Sequence, residues 1–128
     1  MSGADGPSPA EQALRTAVET LLSRKAENVM VLDLEPIASF TGAFVLCHGS
    51  SERQVRSLVD EVVEKVREAS RITPRVEGRE AAEWILLDYG DFVVHVFSEE
   101  ARKFYRLDAL WQDARGVSPA EAAAGALG

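Results

Sequence analysis

The chain contains 128 residues, with hydrophobic and charged fractions typical of a globular protein, and this length suits one domain around a single core. Its formal net charge of −7 argues against a general nucleic-acid binder, because phosphate affinity requires clustered Lys and Arg. The single cysteine, Cys47, excludes an intrachain disulfide and lies in an apolar run, which predicts a buried thiol and a reducing compartment. No apolar run is long enough to span a membrane and the N-terminus has no targeting features, so we expect a cytosolic protein.

The N-terminal region predicts a disordered tail followed by a helix. Residues 1–8 are small and polar, which is typical of a disordered terminus. Ser8 and Glu11 form a capping box with Pro9 at the first helical position, and the apolar residues that follow keep helical spacing. We therefore predict a helix from Pro9 to about Arg24.

Two apolar strands and a long helix follow. Asn28–Leu34 and Ala43–His48 are apolar on both faces, as expected for internal strands of a sheet. Ser51 with Gln54 three residues later marks the start of a helix whose apolar stripe continues for several turns. Thr73–Val76 then predicts a short strand, so that strand, helix and strand form a right-handed crossover in a mixed sheet.

A β-hairpin is predicted next, from two strand-forming runs that flank Asp88-Tyr89-Gly90-Asp91. With Tyr89 and Gly90 as a two-residue loop, the paired residues are Asp88 with Asp91, Leu86 with Val93, and Trp84 with His95, all on one face. The opposite face carries Ile85, Leu87, Phe92, Val94 and Val96 and is predicted to be core.

The first hairpin face is interpreted as a surface for a partner. Asp88 opposite Asp91 is a pairing of like charges that costs stability unless water or a cation relieves it. Trp84 beside these carboxylates suits an interface anchor, although a tryptophan in a domain of this size is more often core. We expect His95 to lie at the surface rather than to act in catalysis. All these assignments depend on strand parity, which a shift of one residue would reverse.

The C-terminal region predicts short elements. Ser98 can cap a short helix with acidic residues in its first turn and basic residues near its end, and Asp108–Trp111 predicts one further turn. Residues 114–128 are rich in Ala and Gly. A helix start signal at Ser118 opens a segment too short to be a stable helix alone, so we expect a flexible tail beyond a domain that spans residues 9–113.

Catalytic chemistry has one candidate site. Gly49-Ser50-Ser51 opens a helix after a strand, as anion-binding sites and nucleotidyltransferases do, but the serines are more simply read as helix caps. The pair of acidic metal ligands that nucleotidyltransferases carry on the next strand is absent, and neither His48 nor His95 has a metal-ligand spacing. We therefore expect no enzyme activity, no metal and no cofactor. A nucleotide-binding enzyme that uses this helix start with Asp33 and Asp88 remains the alternative.

A set of residues occurs in the order and spacing of a known family. The set comprises Asp33-Leu34, Thr41, Gly49-Ser50, Arg53-Gln54-Val55, Glu77-Gly78, Trp84, Asp88, Gly90-Asp91, His95, Arg102, Tyr105, Leu107 and Leu110-Trp111. These residues resemble the signature of the ribosomal silencing factor family, also called the Iojap-related family, from about Leu14 to Asp113. The chain departs from the family pattern at Gly42, where an aspartate is usual.

The resemblance implies a small α/β domain of the α+β type, with a mixed, about five-stranded sheet flanked by helices and similar to the nucleotidyltransferase fold. It implies that the protein binds a large-subunit ribosomal protein at the bridge to the small subunit and sterically blocks subunit joining. Translation would then be repressed in starvation or stationary phase, and family members often form homodimers. A role in assembly of the large subunit is an alternative that uses the same surface.

Charge and resemblance together define a predicted contact site. Ribosomal proteins are basic, so an acidic domain with an aromatic anchor suits them without general affinity for RNA. The predicted partner-binding residues are Trp84, Leu86, Asp88, Asp91, His95, Arg102 and Tyr105.

Overall fold

The computed structural model describes residues 8–34, 42–106 and 115–124. Among these residues no helix combines the length and the apolar character needed to cross a bilayer. The helices are α1 (Pro9–Ser23), α2 (Glu52–Ser70), α3 (Glu99–Tyr105) and α4 (Pro119–Ala123). The strands are β1 (Glu27–Asp33), β2 (Ala43–Gly49), β3 (Arg75–Glu77), β4 (Trp84–Asp88), β5 (Phe92–Ser98) and β6 (Arg115–Val117).

The strands form one mixed sheet in the order β3-β4-β5-β2-β1-β6. The central strands β2 and β5 pair in parallel, from Ala43 opposite Phe92 to Gly49 opposite Ser98, whereas the other neighbours pair antiparallel. The predicted mixed sheet flanked by helices is confirmed. It has six strands rather than about five, because β6 adds to the outer edge of β1.

Helix caps explain where the main helices begin. The side chain of Ser8 accepts a hydrogen bond from the amide of Glu11, and that of Ser51 accepts one from the amide of Gln54. Ser98 caps α3 in the same way through the amide of Ala101. All three start signals were readable from the sequence because they depend only on local spacing.

Two apolar clusters lie on opposite faces of the sheet. The larger one joins α1 and α2 to side chains such as Val31, Val45 and Val94. The smaller one lies on the other face and includes Leu46, Phe97 and, from α3, Ala101. The strand parity predicted for the hairpin is confirmed, because Ile85 and Leu87 lie in the larger cluster and Trp84 and Leu86 border the smaller one.

The hairpin register differs from the prediction. Asp88 pairs with Val93 and the loop residues are Gly90 and Asp91, so glycine occupies the first loop position with φ +89°, as a II′-type turn requires. The amide of Gly90 donates to Oδ1 of Asp88 at 2.8 Å, which fixes this turn. Moving the turn by one residue shifts the partner strand by two, so the faces are preserved although Asp88 and Asp91 do not lie opposite each other.

Residues 115–124 are built into the fold, whereas the sequence predicted a flexible tail from residue 114. β6 pairs with β1, with Val117 opposite Val31, and Ala122 of α4 is fully buried. Nε of Arg15 in α1 donates to the carbonyl oxygen of Ala123 at 3.4 Å. Tertiary contacts thus stabilise a helix of five residues that could not persist alone. The turn predicted at residues 108–111 lies outside the described residues.

Candidate functional site

The candidate site is built on the sheet face that carries the smaller apolar cluster. β4 presents Trp84 and Leu86 on this face, and β5 presents His95 and Phe97. The indole of Trp84 stacks on Phe97 with ring centroids 5.2 Å apart and is partly buried. The sequence predicted that this face contacts a partner, but its centre is packed against other side chains of the protein.

His95 lies inside this cluster and is only 3% exposed. Its Nδ1 accepts a hydrogen bond from Nε1 of Trp84 at 3.0 Å, and its ring forms a T-shaped pair with Phe44, with the ring centroids 4.5 Å apart. Burial lowers the pKa of His95 to about 4, so the ring is neutral and carries its proton on Nε2. The prediction that His95 lies at the surface is wrong, since the apolar side chains of three strands surround it.

Arg102 is also buried, with 7% exposure. Its Nη1 donates to the carbonyl oxygen of Asn28 at 2.6 Å and lies 3.2 Å from Nδ1 of His48. Burial, and then the Arg102 guanidinium, lower the pKa of His48, which favours the neutral ring that can accept from Arg102. Arg102 therefore connects α3 to the start of β1. The predicted contact site assumed that Arg102 presents its charge at the surface, but its guanidinium is buried.

The end of α3 forms an aromatic margin that we define as Trp84, Phe104 and Tyr105. The rings of Trp84 and Tyr105 lie 4.8 Å apart, and those of Phe104 and Tyr105 meet edge to face at 5.1 Å. Tyr105 is 44% exposed and Phe104 is 79% exposed, the largest value for a large hydrophobic residue in the described part of the chain. Phe104 was not among the contact residues predicted from the sequence. The sequence does contain a signal for it, because adjacent aromatic residues at the end of a short helix point in different directions and do not share one buried face.

The carboxylates of the hairpin have separate environments. Asp88 accepts from the amide of Gly90, and its Oδ2 lies 3.7 Å from Nη2 of Arg75 on β3. Asp91 is exposed at the turn. Two acidic side chains thus stay accessible at the tip of the hairpin, without the like-charge pairing that the predicted register implied.

The alternative site at Gly49-Ser50-Ser51 is closed by its own helix. Oε1 of Gln54 accepts from the backbone amide of Ser50 at 2.6 Å and from its hydroxyl at 2.9 Å. The amide of Gln54 donates to the hydroxyl of Ser51, so the amide of Ser50 and the hydroxyls of both serines are engaged with Gln54. The described residues contain no group of three or more His, Cys, Asp or Glu side chains placed to hold a metal ion.

Cys47 lies at the centre of the sheet and is fully buried, as predicted. Burial raises the pKa of its thiol to about 12, so the reactive thiolate is not formed near neutral pH.

A protein-family model described as "Ribosomal silencing factor during starvation" matches residues 7–126. The chain belongs to the ribosomal silencing factor family. A ribosomal silencing factor from Halalkalibacterium halodurans is 39% identical over 107 residues, which cover 84% of this chain and 92% of the relative. A more distant relative from Mus musculus, named mitochondrial assembly of ribosomal large subunit protein 1, is 30% identical over 97 residues, which cover 73% of this chain and 42% of the relative.

A solved structure also matches this member of the silencing factor family. A crystal structure of a protein from Chromobacterium violaceum has a TM-score of 0.75 and 33% sequence identity, and the match covers 84% of this chain and 89% of that one. The family resemblance read from the sequence is thereby confirmed, together with the fold class. The predicted contact site is a finer statement than family membership. It stays a prediction for Trp84, Leu86, Asp88, Asp91 and Tyr105, whereas His95 and Arg102 are buried.

Proposed function

We propose that this silencing factor binds the large ribosomal subunit through a basic ribosomal protein at the subunit interface and blocks joining of the small subunit. The observation that carries the proposal is the aromatic margin, in which Phe104 and Tyr105 stay exposed beside Trp84. Exposed aromatics next to a packed support are typical of interface anchors. Membership of the ribosomal silencing factor family indicates that the ribosome is the particle that these aromatic residues contact.

Charge supports a basic protein as the direct partner. The chain carries a formal net charge of −7, and Asp88 and Asp91 are accessible at the hairpin tip on the β4–β5 side of the sheet. Acidic groups around an aromatic contact attract a basic surface and orient it before close contact forms. An acidic protein is also repelled by bare ribosomal RNA. It therefore binds ribosomal proteins in preference to the RNA that makes up most of the ribosome.

The proposed contact surface consists of the aromatic margin with Leu86, Asp88 and Asp91. His95 and Arg102 support it from inside, because their burial prevents direct contact with a partner. Occupation of the subunit interface by a folded domain is sufficient to prevent joining by steric exclusion. No catalytic step is required, and the protein acts as a repressor of translation in the cytoplasm during starvation or stationary phase.

The proposal is tested by sedimentation of the purified protein with separated large subunits, separated small subunits and joined ribosomes. Binding to the large subunit alone, with loss of joining when small subunits are added, is the expected result. Trp84→Ala and Tyr105→Ala should each weaken large-subunit binding by about tenfold or more, which is the loss expected for an interface anchor.

Leu22→Ala is the matched control. Leu22 is 42% exposed on α1, which packs on the opposite face of the sheet, so its truncation should leave binding unchanged. Thermal unfolding of each variant separates loss of contact from loss of fold. Full binding by a folded Tyr105→Ala variant would exclude the aromatic margin, and binding to no ribosomal particle would exclude the proposed function.

Assembly of the large subunit is a second candidate, favoured by the name of the mouse relative, mitochondrial assembly of ribosomal large subunit protein 1. An assembly factor acts on immature particles, so the two functions differ in the particle that is bound most tightly. Sedimentation with precursor and mature large subunits, in parallel, decides between them. Nucleotide binding at Gly49 has no geometric support, and an unchanged melting temperature with nucleotide and magnesium is the expected result.

Self-association is also proposed, as a homodimer in the free protein. Sedimentation equilibrium of the protein alone and of the Tyr105→Ala variant would show whether the dimer uses the same margin as the ribosome.

A further inference from the structure

Arg102 occupies a socket made from backbone carbonyl groups of a neighbouring strand. Nη1 lies 2.6 Å from the carbonyl oxygen of Asn28 and 3.5 Å from that of Glu27. The imidazole of His48 on β2 closes the socket at 3.2 Å, and a carboxylate oxygen of Glu27 lies 3.9 Å from Nε2 of that ring. A planar guanidinium can donate to several such acceptors at once, which an ammonium group cannot do with the same geometry.

The socket depends on an irregularity in β1. Asn28 has φ +50°, in the left-handed region, and the register between β1 and β2 shifts between Glu27 and Met30. At such a bulge the ladder is interrupted, so carbonyl groups turn away from the partner strand and can accept from elsewhere. Arg102 takes up these acceptors, and the bulge and the arginine thereby form one unit.

Within the described part of the chain, α3 buries little apolar surface of its own. It is seven residues long, and its buried apolar contribution is Ala101, which is 7% exposed. A helix this short does not persist without tertiary contacts. One turn after Arg102, the ring of Tyr105 meets Trp84 at 4.8 Å, so the angle at which Arg102 fixes the helix determines where this ring lies.

We propose that Arg102 is a positioning residue that holds the aromatic margin in its binding geometry through α3, without touching the partner. This inference rests on the proposed function for its consequence, since the margin is the surface assigned there to the ribosome. It reassigns Arg102 from the set of contact residues predicted from sequence. It also explains why an arginine, and not a lysine, suits this position.

The geometry is tested first by NMR on the isolated protein. Nε1 of Trp84 donates to His95, and its indole N–H signal, assigned by its loss in Trp84→Phe, lies within reach of the Tyr105 ring current. Arg102→Met should shift this signal as Tyr105→Ala does, because in both variants the tyrosine ring leaves the indole. Arg102→Lys should shift it less, since the ammonium retains one of the carbonyl contacts.

The consequence is tested by large-subunit binding in a double-mutant cycle. Tyr105→Ala should weaken binding by about tenfold or more and Arg102→Met by about fivefold or more, and the double variant should bind within about twofold of the weaker single variant. Such non-additivity means that Arg102 acts through the margin. A general loss of structure would instead lower the melting temperature and add to the effect of Tyr105→Ala.

Three results would overturn the inference. They are an unshifted indole signal in Arg102→Met, unchanged binding in Arg102→Met when Tyr105→Ala binds weakly, and fully additive losses in the double variant. If Trp84→Ala and Tyr105→Ala both bind normally, the contact surface of the proposed function is wrong. The indole signal still decides whether Arg102 places α3, so the two failures are distinguishable.

Discussion

His95 is an ionisable side chain placed where its charged form is strongly disfavoured. The pKa of the ring falls from 6.5 to about 4 because the apolar cluster around it excludes water. The unfolded chain therefore binds more protons than the folded chain between these two pH values. The stability that neutral His95 contributes is fully present above about pH 6.5 and is lost as the pH falls towards 4.

The loss of stability at low pH caused by His95 is large enough to measure. Between pH 7 and pH 5 the free energy of unfolding of the wild type should fall by about 2 kcal/mol more than that of His95→Gln. Gln retains an acceptor for Nε1 of Trp84 but does not titrate. Urea unfolding at the two pH values measures the difference, and His48 cancels because both proteins contain it. Equal pH dependence in the two proteins would show that His95 is not held neutral by burial.

The burial of individual side chains at this site could not be predicted from the sequence. Strand parity placed Trp84 and His95 on one face, because alternation is a local property of a strand. Parity does not reveal what covers that face. The burial of His95 depends on Phe44 and Phe97. That of Arg102 depends on the carbonyl groups of Glu27 and Asn28, more than seventy positions earlier in the chain.

At the scale of elements, β6 and α4 behave as one small unit attached to the outer edge of the fold. Val117 and Ala122 are its buried side chains, and both are small. Little apolar surface therefore holds the unit in place, and its attachment also includes the backbone pairs between β6 and β1 and the hydrogen bond from Arg15 to the carbonyl oxygen of Ala123. Such a unit can open locally without unfolding the rest of the sheet.

Substitution on the two sides of α4 tests this attachment. Ala122→Glu places a charge in the contact with α1 and should detach residues 115–124, at a cost limited to about 1–3 kcal/mol because the remaining sheet stays folded. Ala120→Glu is the control, since Ala120 is exposed on the same helix. Hydrogen exchange should rise in residues 115–124 and on the outer edge of β1 only for Ala122→Glu. Uniform acceleration across β2 and β5 would instead show a single cooperative unit.

Elements with their own start signals were predicted from sequence, and those that depend on a distant partner were not. The caps at Ser8, Ser51 and Ser98 gave the helix starts. The hairpin turn was displaced by one residue because both Tyr89-Gly90 and Gly90-Asp91 are plausible loops, and the choice follows from a glycine at the first position. β6 was missed because its three residues form a strand only beside β1.

At the scale of the whole molecule, the acidic charge governs how a basic partner is approached. A formal net charge of −7 acts over distances comparable to the Debye length, so it affects association more than dissociation. Raising KCl from about 50 to about 300 mM at constant magnesium should lower the association rate constant with large subunits about tenfold. The dissociation rate constant should change by less than about twofold, because desolvated aromatic contacts respond weakly to salt.

Charge position is tested with two neutralising variants of equal net charge. Asp91→Asn removes a carboxylate at the hairpin tip and should slow association more than Glu68→Gln, which removes one from the exposed surface of α2. Stopped-flow measurements at low salt make the comparison. Equal association rate constants for the two variants would mean that the carboxylate at the hairpin tip does not accelerate association more than one on α2. A salt-independent association rate constant would exclude steering by charge.

The order of strands in the sheet has a consequence for synthesis of the protein. β1 is made early, but the strand that covers its outer edge, β6, is made after every other strand of the sheet. The central strands are also separated in time, because β2 is translated before its parallel partner β5, with α2, β3 and β4 between them. A nascent chain thus carries open strand edges until β6 has been translated, because, among the described residues, no earlier strand of the sheet covers the outer edge of β1.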